Sequence, residues 1–233
     1  MSIIAIVIEI FVLLFAITVH EASHGWAANR MGDPTAFNMG RITLNPLAHI
    51  DLIGTVIVPL IILLAGFPPF GWAKPVPVNP YNLRHPRRDN IWISFAGPAA
   101  NGLTAFGAFV ILLVLKALSP GVNQFLRIMV RSMLKNPDVL RSILPHGLVP
   151  LQGLALVLYF VVFINIYLAV FNLIPIPPLD GSGILMGVLP EEAAMKYDRI
   201  RPFGFLIVIG LVYLGLLNLI LIPIQLFIDV LLG

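Results

Sequence analysis

Cysteine is absent from all 233 residues. No disulfide framework is available, and no metal can be held by thiolate. Charge is the next shortage. Asp, Glu, Lys and Arg together make up 11% of the chain, where a soluble domain carries about 25%. That deficit argues against water as the main solvent and points to lipid. The net charge of +3 comes without a basic-aromatic pattern, so no nucleic acid partner is expected. The excess Lys and Arg belong instead at a lipid surface. No internal repeat or low-complexity segment is present. The first apolar run also lacks a basic region ahead of it and a small-residue cleavage site before His20. It therefore reads as a retained helix rather than a signal peptide.

What is there is mostly hydrocarbon. Hydrophobic residues make up 59% of the chain, with a mean hydropathy of +0.97. Residues 10–20, 52–73, 90–115, 142–179 and 202–228 contain no Asp, Glu, Lys or Arg. A spanning helix needs about 20 mostly apolar residues. The expected fold is an all-α polytopic membrane protein with about five membrane helices, over 3–29, 52–64, 90–118, 151–173 and 203–232. Pro223 is expected to kink the last of them. Residues 1–233 are expected to form a single integral membrane domain, with a core at 3–187 and a C-terminal helix or helix pair at 203–232.

The connectors carry their own signals. "MGDPTAFNMGRITLNPLAHID" is rich in turn residues, and "RITL" within it alternates like a short strand. "GFPPFGWAKPVPVNPYNLRHPRRDN" is proline-rich and irregular, and is expected to be re-entrant. "VNQFLRIMVRSMLKN" places Phe125, Ile128, Met129 and Met133 at helical spacing with Arg127, Arg131 and Lys135 between them, the pattern of an amphipathic surface helix. Basic residues divide seven against seven between the two sets of loops, so the positive-inside rule assigns no orientation.

The first apolar run contains "HEASH", His20-Glu21-x-x-His24. Positions i and i+4 share one helix face, so two imidazoles can grip one ion. Glu21 sits about 100° around the helix from His20, within reach of a water on that ion. This is the arrangement of a zinc hydrolase, with two histidine ligands and a carboxylate base. An exposed polar helix face is the bland reading. It is weak here, because ionisable groups inside a span are costly and usually functional.

A third ligand must come from elsewhere. Asp180 closes an apolar run, and "IPIPPLDG" lifts the backbone out of helical geometry. Asp180 reads equally well as a ligand or as a helix N-cap. Asp51, beside His49, competes as a ligand but is better read as a cap. Glu9 is an intramembrane candidate, expected near the interface. His49 is a candidate to order its loop or gate water, but is better read as an interfacial polar residue. Asn101 is expected to serve close helix packing with Gly97 and Gly102. Trp26, Trp72 and Trp92 fit an interfacial aromatic belt.

"HEASHGWAANRMGD" and "FNLIPIPPLDG" resemble the two signature motifs of the site-2 proteases, which are membrane-embedded zinc metalloproteases. "GRITLNPLAHIDLIGT", "GWAKPVPVN" and "FAGPAANG" resemble connecting segments of a bacterial and archaeal subgroup. The likeness spans residues 13–187. It implies one Zn²⁺ per chain held by His20, His24 and Asp180, with Glu21 as general base and Asn172 either supporting the ligands or stabilising the oxyanion; an interhelical hydrogen bond is the bland reading of Asn172. It also implies a membrane-inserted β-hairpin at "GRITL", no PDZ-like insertion, and a multi-pass location in a prokaryotic cell membrane. The expected partners are the lipid bilayer and the transmembrane segments of protein substrates, cleaved in regulated intramembrane proteolysis. A membrane zinc transporter or sensor, or an inactive scaffold, is the alternative. Glu21 separates them, since transport has no evident need for a general base.

Overall fold

The computed structural model describes residues 3–64, 71–135, 149–216 and 218–232. The chain is helical, and no strand forms among the described residues. Among the described residues, three helices contain stretches long and apolar enough to cross a membrane: α1 (Ile3–Arg30), α4 (Pro86–Leu118) and the 23-residue α6 (Pro150–Asn172).

The other two expected spans differ. Residues 52–64 begin as a π-helix, Leu52–Ile57, and continue as α3, Val58–Leu64. Asp51 caps this element, its Oδ1 accepting the Gly54 N–H at 2.6 Å. The last expected helix is divided into α9 (Arg201–Tyr213) and α10 (Asn218–Leu232). The interruption is not at Pro223, which lies inside α10. It follows Tyr213, where Gly215 takes φ 69°, a left-handed value that glycine adopts without a Cβ clash and that ends helices. The 13 residues of α9 rise only about 20 Å, against a hydrocarbon core of about 30 Å.

Contacts cluster into two compact units. The first comprises Met1–Leu13, Asn101–Phe171 and Leu206–Gly233 and has an apolar core. α5 (Pro120–Lys135) contributes Val122, Phe125, Leu126, Met129 and Val130 to it. The apolar face of this amphipathic helix is thus turned into protein. Ile128, expected on that face, is 48% exposed, and the Met133 side chain lies outside the described residues. Asn101 is fully buried here. Its Nδ2 donates to Asn165 Oδ1 at 2.7 Å, and Asn165 Nδ2 donates to the Val161 carbonyl at 2.9 Å. Each amide thereby avoids the cost of burial without a partner.

The second unit comprises Leu14–Ala100 and Asn172–Phe205. It includes α2 (Thr35–Asn38), α7 (Asp180–Val188) and α8 (Glu191–Asp198). The hairpin expected at "GRITL" is not found. Gly40 turns at φ 65°, and the Arg41 N–H returns to the Ala36 carbonyl at 2.9 Å. The Thr43 carbonyl takes His49 Nε2 at 3.0 Å, and the Asn45 N–H takes Thr43 Oγ1 at 3.2 Å. Side chains occupy groups that a ladder would use. His49, expected at an interface, is buried and orders this loop. Its own carbonyl accepts the Lys74 N–H at 3.0 Å. Of the proline-rich segment, residues 65–70 lie outside the described residues, and 71–79 form no regular element.

Candidate metal centre

Within the second unit, α1 presents His20 and His24 one turn apart, their ring centroids separated by 4.7 Å. Both rings are buried. His24 Nδ1 lies 2.7 Å from the Ile93 carbonyl on α4. A carbonyl only accepts, so Nδ1 carries the proton. In the neutral ring Nε2 is then left with a lone pair. The Gly97 position makes room for this pair of rings. A Cβ there would stand 2.5 Å from His24 Nε2 and 2.7 Å from His20 Nε2.

Asp180 arrives from the opposite side of the sequence, in the first turn of α7. Its N-cap residue is Leu179, which makes no side-chain cap bond. Glycines set the placement of this helix. A Cβ on Gly181 would meet the Leu173 carbonyl oxygen at 2.2 Å, so α7 starts flush against the backbone of Leu173 and Ile174. Gly183 and Gly187 do the same toward Ser94 and Ile91 of α4, where Asn90 Nδ2 also donates to the Gly183 carbonyl at 3.2 Å. Small residues permit this backbone approach. Tyr197 of α8 supports the turn by donating to the Pro175 carbonyl at 2.8 Å.

The result is convergence. Asp180 Oδ2 lies 3.0 Å from His20 Nε2 and 3.3 Å from His24 Nε2. One ligand atom from each residue falls within 4.8 Å of the others. Asp180 Oδ2 is buried and finds no hydrogen-bond donor among the described residues. A lone pair on His24 Nε2 facing a carboxylate oxygen repels it unless a cation lies between them. The donor set of two imidazoles and one carboxylate suits a divalent transition metal, zinc above all.

Sequence comparison agrees with this chemistry. The sequence model of Peptidase family M50 matches residues 8–214. The chain belongs to Peptidase family M50, the site-2 protease family that the two motifs resemble. It is 32% identical over 206 residues to "Putative zinc metalloprotease YwhC" of Bacillus subtilis, an alignment covering 85% of this chain and 76% of that one. It is 28% identical over 205 residues to "Putative zinc metalloprotease Rip2" of Mycolicibacterium smegmatis, covering 88% of this chain and 66% of that one. No solved structure matches.

The other candidate residues of this M50 family member are placed as follows. Glu21 is half-buried, and its Oε2 accepts the Val76 N–H at 3.0 Å. Asn172 is the last residue of α6, eight positions before Asp180. Glu9 is partly exposed near the start of α1, in the first unit. A cleft of about 210 Å³ runs between α1 and residues 42–44, lined by Val19, Ala22, Ser23, Trp26, Ile42, Thr43 and Leu44. Reading the sequence missed Ile93, Val76 and the contact between Gly97 and the imidazoles. Two of these act through backbone atoms, which leave no mark on residue identity. "FAGPAANG" was visible as a small-residue segment, and an imidazole-sized notch is one use of such a segment.

Proposed function

We propose that this chain is an intramembrane zinc endopeptidase that hydrolyses peptide bonds in the transmembrane segments of other membrane proteins. The observation that carries the proposal is the meeting of His20, His24 and Asp180 within 4.8 Å, beside a glutamate one position along the same helix. His20 and His24 through Nε2, with Asp180 through a carboxylate oxygen, would hold the ion. Zinc bound there supplies Lewis acidity, acidifying water and polarising a carbonyl.

The chain's own groups do the rest. Glu21 takes the proton of the attacking water and delivers it to the leaving amine nitrogen. Asn172 is assigned to stabilising the oxyanion that forms at the scissile carbonyl. The Ile93 carbonyl keeps His24 in the tautomer that presents Nε2 inward. A substrate helix must unwind first, because its carbonyls are already bonded to its own N–H groups. The apolar cleft between α1 and residues 42–44 is assigned to an aliphatic side chain of the substrate. The site belongs to a multi-pass protein of a bacterial membrane.

The test is cleavage of a panel of transmembrane peptides by the purified, zinc-loaded protein. Glu21→Gln should remove cleavage by about 10²-fold or more with zinc retained, and chelation should abolish it. Cleavage surviving Glu21→Gln would rule out Glu21 as the base, and zinc binding with no cleavage by the wild-type protein would leave a zinc carrier in place of this reading.

A further inference from the structure

Glu21 does not stand alone on α1. Across from it runs a strap, residues 74–79, "KPVPVN". Its prolines at 75 and 77 donate nothing and restrict the residues before them to extended backbone. Val76 is the donor between those prolines, and its N–H goes to Glu21 Oε2 at 3.0 Å.

The strap is tied at both ends by buried groups. At the first end, the Lys74 N–H bonds the His49 carbonyl at 3.0 Å, and Arg41 Nη2 donates to the Lys74 carbonyl at 2.7 Å. At the other end, Asp33 Oδ2 accepts the Asn79 N–H at 2.7 Å and its Oδ1 accepts Asn82 Nδ2 at 2.9 Å. Asp33 and Arg41 are 0% and 6% exposed. Such burial of two charges is costly unless they are bonded. Gly25, one turn after Glu21, completes the fit. A Cβ there would meet Val76 Cγ1, Ala36 Cβ and Ile42 Cγ1, each at 3.2 Å. The missing side chain lets Val76 come close enough to α1 to bond the carboxylate.

Resting on the peptidase reading above, we infer that the Val76 N–H, held by the strap, is a positioning group that fixes the Glu21 carboxylate for proton transfer, with Asp33 and Arg41 as its anchors. A carboxylate free to rotate delivers its proton less often along the productive path. The loss then falls on the chemical step rather than on substrate or metal binding. Because the Val76 donor is engaged and its proline neighbours have none, the strap is unsuited to pairing with substrate through these N–H groups.

The experiment compares Val76→Pro with Val76→Ala in the full-length, zinc-loaded protein. A residue before a proline favours extended or polyproline backbone, so proline at 76 removes the donor while keeping to that region. Alanine keeps the donor. Expected is a kcat lower by about 10- to 100-fold in Val76→Pro than in Val76→Ala, with KM within about twofold and equal zinc stoichiometry. Equal kcat values overturn the inference. So does a loss that appears in KM or zinc content instead. Should Val76→Pro fail to accumulate, Gly25→Ala takes its place. Its methyl presses on Val76, kcat should fall with zinc retained, and Gly25→Ala/Val76→Ala should recover part of it. No loss of kcat in Gly25→Ala overturns the inference equally. Glu21→Gln reports on the underlying reading separately. If it still cleaves, Glu21 is not the base and the strap's role falls with it. If it is inactive while Val76→Pro matches Val76→Ala, only the strap's role falls.

Discussion

The glycines of the two units differ in what surrounds them. In the second unit, a Cβ added at Gly97, Gly181, Gly183, Gly187 or Gly204 would stand 2.0–2.5 Å from an atom of another segment. In the first unit, Gly102, Gly107, Gly153 and Gly210 have nothing within 4 Å of such a Cβ. The cores differ in the same sense. The first unit buries a continuous cluster of large side chains around Leu112, Leu126, Leu156 and Val162. The second has a small one, made of Ala27, Ala28, Leu83 and Ile93. Hydrophobic burial is non-directional and tolerates repacking of similar volume. Backbone-to-backbone approach and buried carboxylate clamps do not. The unit carrying the His20–His24–Asp180 cluster is assembled by the directional kind of contact, which suits ligand atoms that must be held within about 0.5 Å.

The comparison would break first at Gly97. Gly97→Ala puts a methyl where both imidazoles lie. The rings must swing away from Asp180 or α4 must retreat. Disturbing the support of metal ligands typically costs about 10–100-fold in metal affinity, and peptide cleavage should fall at least as far. Competition for zinc against a chelating dye measures this directly. Wild-type zinc affinity in Gly97→Ala would mean that the notch is incidental and the two units are not built on different principles.

The contrast also governs what could be read from the chain. The long helices were legible, because α1, α4 and α6 are continuous apolar runs with few interruptions. His20 and His24 were legible from a four-residue spacing on one such run. Asp180 was less so: its role as ligand or cap was evenly balanced until the second motif was matched to a family, since nothing in local pattern brings residue 180 to residue 20. Pro223 is the visible mark in the last expected helix, but the division between α9 and α10 lies at Gly215. Proline in a helix forfeits one hydrogen bond and can be accommodated, as Pro223 is, whereas Gly215 takes a backbone angle that stops the helix outright. "RITL" alternates as a strand does, but alternation describes side chains and says nothing about whether a partner ladder exists. The Val76 and Ile93 contacts use main-chain atoms, so no residue type announces them.

Asp33 sharpens the comparison through pH. Burial opposes its charge, but hydrogen bonds from Asn82, Thr35 and the Asn79 N–H outweigh that and hold its carboxyl below the ordinary value of 3.8. A carboxyl lowered in the folded state adds stability above its unfolded value. That stability is lost as pH falls from there through the folded value. Asp33→Asn should therefore destabilise the protein by about 2 kcal/mol near neutral pH. The gap from wild type should narrow as pH drops below 3.8. Thermal unfolding in detergent micelles across about pH 6 to pH 3 gives both curves. A gap that stays constant would show that the Asp33 charge contributes nothing and the clamp is steric.

The smallest effect belongs to the open glycines. Gly102 lies on the same helix as Gly97, five residues on, yet a methyl at Gly102 meets empty space. In a helix interior, alanine restricts the unfolded chain more than glycine does while fitting the same backbone, so it stabilises by about 0.5–1 kcal/mol. Gly102→Ala and Gly107→Ala should each raise the unfolding midpoint slightly and leave zinc affinity and cleavage unchanged. Steady-state kinetics alongside the melting curves would check both halves of that statement. If either substitution lowered cleavage without lowering stability, the first unit would carry a function that depends on the gap itself. Motion of α4 during substrate entry, or a surface meant for another helix, would then have to be sought there.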